Sequence, residues 1–262
     1  MAVIKMNFLS QCLGMQTNVT ICLPSYSFKD RMDGREDVYV PGMKYQVLWL
    51  LHGGSGDDSD YLHFSNITRY ADDHKLAVVM PCDYNMYYAD YDDGAKYMSF
   101  IAVELPKMLR AILPLSDKRE DNFIGGLSMG SVGCQKIAIN YPEQYSVCLG
   151  MSAGGLSPFN TSRGGGGSMI HREGAHIEET MELAKKNVED GKELPKFFMT
   201  WGDQDFTREG HQKSCDYLRE LGYDVYQEVV PGYGHEWDFW DLTLRKAISE
   251  WLPIRHSVIY PE

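Results

Sequence analysis

No apolar run in these 262 residues approaches the ~18 that a membrane-crossing helix needs. Positive charge is scarce as well. With 25 Lys+Arg against 37 Asp+Glu, the formal net charge of -12 repels phosphate backbones and anionic lipid surfaces. Neither nucleic acid nor a membrane is therefore an expected partner. The opening residues, Met1 to Phe8, lack the basic, apolar and small-residue succession of a signal peptide. Cysteine is sparse, at 12, 22, 82, 134, 148 and 215, and no two have the spacing of a zinc knuckle or redox pair. The expectation is a cytoplasmic protein with reduced thiols and no metal. The dinucleotide pattern G-x-G-x-x-G is missing from the first strand-to-helix turn, and G-K-[ST] is missing throughout, so no nucleotide cofactor, and indeed no cofactor, is expected. Asp83, Asp90, Asp92 and Asp93 lack EF-hand spacing and read as a solvated loop.

What is present is a regular alternation. Apolar runs over 45–51, 76–80, 122–127, 145–151, 196–201 and 223–230 read as strands. Between and after them, 67–75, 100–113, 129–140, 207–221 and 236–252 have helical spacing. Buried strands separated by helices describe a mostly parallel sheet covered on both faces, an α/β fold. The first 25 residues differ, being two strand-like pieces joined at Gly14, expected as an antiparallel hairpin on the sheet edge. The chain reads as one domain over 1–262. Residues 152–195, with four glycines at 164–167 and a polar helix near 176–189, read as a cap-like excursion over the sheet end, where such folds bind ligands.

The chemistry centres on Gly126-Leu127-Ser128-Met129-Gly130, where a strand ends and a helix begins. A serine hydroxyl is a weak nucleophile, and a sharp turn between small residues can present it to substrate and base. After the strand ending at Leu51 comes His52-Gly53-Gly54-Ser55-Gly56. Backbone N–H groups of Gly54 and Met129 are candidates to stabilise an oxyanion, and His52 to orient its own loop. An acid and a base should follow in that order. Gly202-Asp203-Gln204-Asp205 offers two acids and Gly234-His235 one histidine; Asp205 is preferred because it lies further into its loop. The remaining histidines, including His74, His211 and His256, read as solvated or structural.

These segments resemble the esterase D / putative esterase family of α/β-hydrolases, particularly the bacterial tributyrin esterases. The resemblance rests on residues 50–56, 69–81 and 115–130, with Gly202–Phe206 and Gly234–Asp241 in the tail. It implies an α/β-hydrolase fold and a serine esterase acting on short acyl esters, with Ser128, Asp205 and His235 as the triad. Relatives include S-formylglutathione hydrolases and acetylxylan and feruloyl esterases, so those activities stay open, as do acyl transfer and a catalytically silent binding module.

The expected partner is a small-molecule ester, with homo-oligomerisation left open. Trp237, which follows the base's loop, and Tyr87 and Tyr88, after the 76–80 strand, are the candidate walls of an acyl pocket. A closed wall would favour acetyl to butyryl chains over octanoyl.

Overall fold

The computed structural model describes residues 1–36, 38–92, 94–153 and 177–261. The glycine run 164–167, most of the 152–195 segment and Asp93 lie outside the described residues. Among the described residues, eight strands form one sheet: β1 (Ala2–Leu9), β2 (Gln16–Leu23), β3 (Val47–Leu51), β4 (Ala77–Pro81), β5 (Asn122–Leu127), β6 (Val147–Met151), β7 (Lys196–Gly202) and β8 (Val225–Val230). Their spatial order is β1-β2-β4-β3-β5-β6-β7-β8. The hairpin β1–β2 is antiparallel and meets β4 antiparallel, while β3 to β8 are mutually parallel. The expected edge hairpin and parallel sheet are both present.

The continuous apolar runs become central strands because both faces are covered. Trp49, Leu51 and Ile124 face one core with Ile137 and Phe197, whereas Leu48, Leu50 and Phe123 face another with Phe239 and Leu244. On the flanks lie α1 (Phe28–Met32), α2 (Asp60–Phe64), α3 (Ile67–Asp73), α4 (Tyr97–Ser99), α5 (Leu105–Ile112), α6 (Met129–Asn140), α7 (Ile177–Glu189), α8 (Arg208–Leu221) and α9 (Trp237–Lys246).

Two expected helices are not α-helical throughout. Phe100–Glu104 forms a π-helical turn before α5, where Pro106 at the helix start offers no N–H to a regular ladder. The closing helix likewise ends in a π turn over Ala247–Trp251. The polar helix expected over the sheet end is instead a layer helix, α7. Asn187 donates to the Ile139 carbonyl at 2.7 Å, and the Tyr217 and Tyr223 hydroxyls donate to carbonyls of α7, at Met181 and Ala184. No helix among the described residues is long and apolar enough to cross a membrane.

Candidate active site

β3, β5, β7 and β8 deliver their C-terminal ends to one edge of the sheet, with Leu51 level with Gly126, and Gly202 with Val230. At the end of β5 the chain turns sharply into α6. Ser128 makes that turn with φ 51° and ψ −117°, a left-handed backbone that costs a non-glycine residue on the order of 1–3 kcal/mol. The flanking glycines allow it. A Cβ on Gly126 would lie 2.4 Å from the Gly130 backbone, and one on Gly130 2.2 Å from the Leu51 carbonyl oxygen. The Ser128 N–H donates to the Met151 carbonyl at 2.9 Å, which pins the turn to β6.

His235, in the loop after β8, meets this serine. Its Nε2 lies 3.0 Å from Ser128 Oγ, and its Nδ1 lies 3.2 Å from both Asp205 oxygens. Asp205 is fully buried at the end of β7 and accepts from the Thr207 N–H at 2.8 Å and hydroxyl at 2.7 Å. Burial opposes its charge, but the bond to the His235 imidazole, the neighbouring Ser152 side chain and the Thr207 N–H outweigh it, holding the carboxyl well below the usual carboxylate range. Asp203 is exposed and accepts from the Gly232 N–H, so it braces the histidine loop without meeting the imidazole. Carboxylate, imidazole and hydroxyl thus stand in the order needed to draw a proton from serine.

The loop after β3 lies beside them. A Cβ on Gly53 would come 3.5 Å from Ser128 Cβ. His52 is buried and accepts the Asp83 N–H at Nε2 (2.9 Å), so its proton sits on Nδ1 and is donated to the Gly53 carbonyl at 2.7 Å. Burial holds His52 below the usual imidazole range, which favours this neutral form. Because N–H and C=O of a trans peptide point to opposite sides, the Gly54 N–H is turned away from His52. Met129 opens α6, and the first N–H groups of a helix have no partner within it.

Two expectations need correction here. Asp83 is not a solvated loop residue; it is fully buried and accepts from the Met86 and Tyr88 N–H groups. Burial pushes its carboxyl well above the usual range, with those N–H groups and buried Lys136 pulling the other way. Tyr88 is not a pocket wall. It is fully buried against the position a Gly133 Cβ would take, and its hydroxyl donates to the His52 carbonyl at 2.8 Å. Sequence reasoning missed Asn85, whose side chain accepts the Ser55 N–H at 2.6 Å, and Lys136, whose Nζ donates to the Tyr87 carbonyl at 2.9 Å. Neither carries a local pattern, since each acts on a distant loop.

The family model described as Putative esterase matches residues 10–250. The chain belongs to that family. It is an α/β-hydrolase and a serine esterase, an enzyme of carboxylic ester hydrolysis. A curated relative, the acetyl esterase of Caldicellulosiruptor saccharolyticus, is 28% identical over 268 residues, covering 96% of this chain and 98% of that protein. Among solved structures, the fluorophosphonate-binding serine hydrolase F of Staphylococcus aureus, substrate bound, is similar with a TM-score of 0.81 and 31% identity, covering 95% of this chain and 97% of the other. An S-formylglutathione hydrolase of Staphylococcus aureus has a TM-score of 0.76 at 31% identity, covering 95% of each chain.

In this esterase His235 is bordered by aromatic rings. Phe206, 54% exposed, lies 4.6 Å from the His235 ring centroid, and Trp240 meets the same ring edge-on at 5.0 Å. Trp237 packs at 5.3 Å on Trp240, 5.5 Å on Tyr61 and 5.2 Å on exposed Phe64. It is half-buried, with contacts in the core and one flank in the aromatic row. Tyr87 is nearly buried.

Behind Asp205, the esterase holds a second histidine that sequence reasoning left as solvated or structural. His211 is fully buried, accepts the Ala153 N–H at 3.1 Å and stacks on Trp201. Burial depresses its pKa to about 3. The unfolded chain takes up this proton below ~6.5 and the folded chain does not, so stability is greatest above ~6.5. It declines as pH falls toward 3. Denaturant titrations of wild type and His211→Gln between pH 7 and 4 should show a shallower decline in the variant; parallel curves would remove His211 from the acid response.

Proposed function

We propose that the esterase cleaves short-chain acyl esters through an acyl-enzyme on Ser128. The observation that carries this reading is the unbroken contact series from Asp205 through His235 to Ser128 Oγ. His235 Nε2 takes the hydroxyl proton as Ser128 attacks the ester carbonyl, and Asp205 holds the imidazole with its Nδ1–H inward and stabilises the charge that forms. The N–H groups of Gly54 and Met129 receive the oxyanion, a contribution of about 3 kcal/mol per donor in comparable sites. The tetrahedral intermediate collapses as Nε2–H returns the proton to the departing alcohol. Water then repeats the sequence on the acyl-enzyme and releases the acid. Reduced cysteines and an intracellular setting belong to the same proposal, in line with six unpaired cysteines.

Acetyl to butyryl chains are the proposed range, supported by the aromatic row beside the base, in which Trp237 and Phe64 close one side. A buried methylene contributes only ~0.8 kcal/mol, so a rigid wall outweighs the gain from lengthening the chain. Comparing kcat/KM on acetyl, butyryl, octanoyl, feruloyl and S-formylglutathione substrates tests the range. A maximum at octanoyl, or on the thioester, would redirect it. Trp237→Ala should extend the accepted chain toward octanoyl. If the preference stays fixed while the melting temperature drops, Trp237 serves the core alone.

A further inference from the structure

Gly54 carries one of the two N–H groups assigned to the oxyanion, yet it has no side chain to hold it in place. It is exposed, and nothing among the described residues beyond its chain neighbours lies within 4 Å of where a Cβ would stand. A glycine so placed has many backbone angles open to it. The direction of its N–H must therefore be set from outside.

The peptide plane on each side of Gly54 is held. The Gly53–Gly54 peptide carries that N–H, and its carbonyl oxygen is engaged by His52 Nδ1 at 2.7 Å and the Gly56 N–H at 3.3 Å. The Gly54–Ser55 peptide is held by its own N–H, which donates to Asn85 Oδ1 at 2.6 Å. Only the amide oxygen of Asn85 accepts, so that oxygen is the atom turned toward Ser55. With both planes fixed, both torsions at the Gly54 Cα are fixed.

Asn85 can hold this peptide because its own loop is tied down. Tyr84, Asn85, Tyr87 and Tyr88 all have left-handed backbones, with φ of 52°, 61°, 53° and 52°. Such a run of non-glycine residues is costly and persists only where the surroundings dictate it. Here Asp83 accepts from the Met86 and Tyr88 N–H groups at 2.8 and 3.0 Å, and the Tyr91 hydroxyl donates to the Met86 carbonyl at 2.9 Å. Lys136 Nζ reaches from α6 to the Tyr87 carbonyl at 2.9 Å. Strain gathered beside the nucleophile's loop points to placement rather than stability.

We propose that Asn85 is a positioning residue for the ester reaction, its Oδ1 fixing the Ser55 N–H and so aiming the Gly54 N–H at the oxyanion. This rests on the reading of Gly54 and Met129 as the oxyanion donors.

The test compares Asn85→Gly and Asn85→Asp with wild type in the full-length protein. Glycine accepts the left-handed backbone at 85 and deletes the acceptor. A misaimed donor costs less than a deleted one, so kcat on a butyryl ester should fall ~10- to 100-fold with KM within about twofold. Affinity for butylboronic acid, whose tetrahedral adduct with Ser128 presents an oxygen like the oxyanion, should fall by a similar factor. The acid limb of kcat/KM, set by His235, should not move. Because the bond is exposed, the melting temperature should stay within ~4 °C of wild type. Asn85→Asp keeps an acceptor oxygen and should return kcat to within about fivefold of wild type in ~0.5 M salt, where its added charge is screened.

An unchanged kcat or boronate affinity in Asn85→Gly, a moved acid limb, or an aspartate variant no better than the glycine one would overturn the proposal. So would a large drop in melting temperature, which would assign Asn85 to the fold. A crystal structure of the wild-type boronate adduct separates the two readings. If no boronate oxygen lies within hydrogen-bond distance of the Gly54 and Met129 N–H groups, the oxyanion assignment is wrong. If one does while Asn85→Gly is fully active, only the positioning role fails.

Discussion

Ser128→Ala and His235→Ala are each expected to lower kcat by ~10⁴-fold or more while the protein stays folded. The size of the loss follows from the contact series. Without Oγ there is nothing to acylate, and without the imidazole the hydroxyl, 3.0 Å from Nε2, has no acceptor for its proton. The single losses should resemble the double loss, because the groups act as one unit. Asp205→Asn should also be severe, since an amide in place of the buried carboxylate removes the charge that stabilises imidazolium and can invert the tautomer. Asp203→Asn should cost little, because Asp203 is exposed and bonds the Gly232 N–H. The ordering of the two aspartate variants in kcat/KM decides which carboxylate serves His235; a larger loss at 203 would reverse the assignment.

Gly130→Ala is expected to have the largest effect on stability. Its new Cβ would lie 2.2 Å from the Leu51 carbonyl oxygen and 2.6 Å from that of His52. Both obstacles are backbone, so no rotamer change relieves them and α6 must move away from β3. We expect a loss of about 3 kcal/mol or more, which for a chain of this size lowers the melting temperature by roughly 6–12 °C. Activity should fall as well, since the shift displaces Ser128 and the Met129 N–H. Gly54→Ala makes the contrast. No described atom lies within 4 Å of its Cβ and its φ is ordinary, so it should melt within ~2 °C of wild type. Calorimetry of the two variants checks the argument; a Gly130→Ala protein as stable as wild type would mean that α6 does not abut β3 as closely as described.

The alternation of strands and helices, the edge hairpin and the Ser128 turn were all legible in the sequence. Each is encoded in the spacing of apolar residues or in a few adjacent glycines, and short-range sterics act on these before any tertiary contact forms. Met129–Asn140 and Asn122–Leu127 occupy the spans their spacing predicts. The order serine, acid, histidine also followed from chain position, because parallel strands bring successive loops to one edge. Tertiary structure decided the rest, wherever a residue's role depends on a partner far away in sequence. Asp83 and Tyr88 read as loop residues until the His52 loop and α6 close over them. Lys136 sits inside an apolar helix, and its burial is accounted for by partners distant in sequence, the Tyr87 carbonyl and the Asp83 carboxyl. Ser152 and Trp240 carry no motif, yet α9 folds back across the sheet end and joins the indole of one to the hydroxyl of the other. Spacing specifies which face of an element is buried; what it is buried against depends on how the layers pack, and the polar partners of this site are chosen at that level.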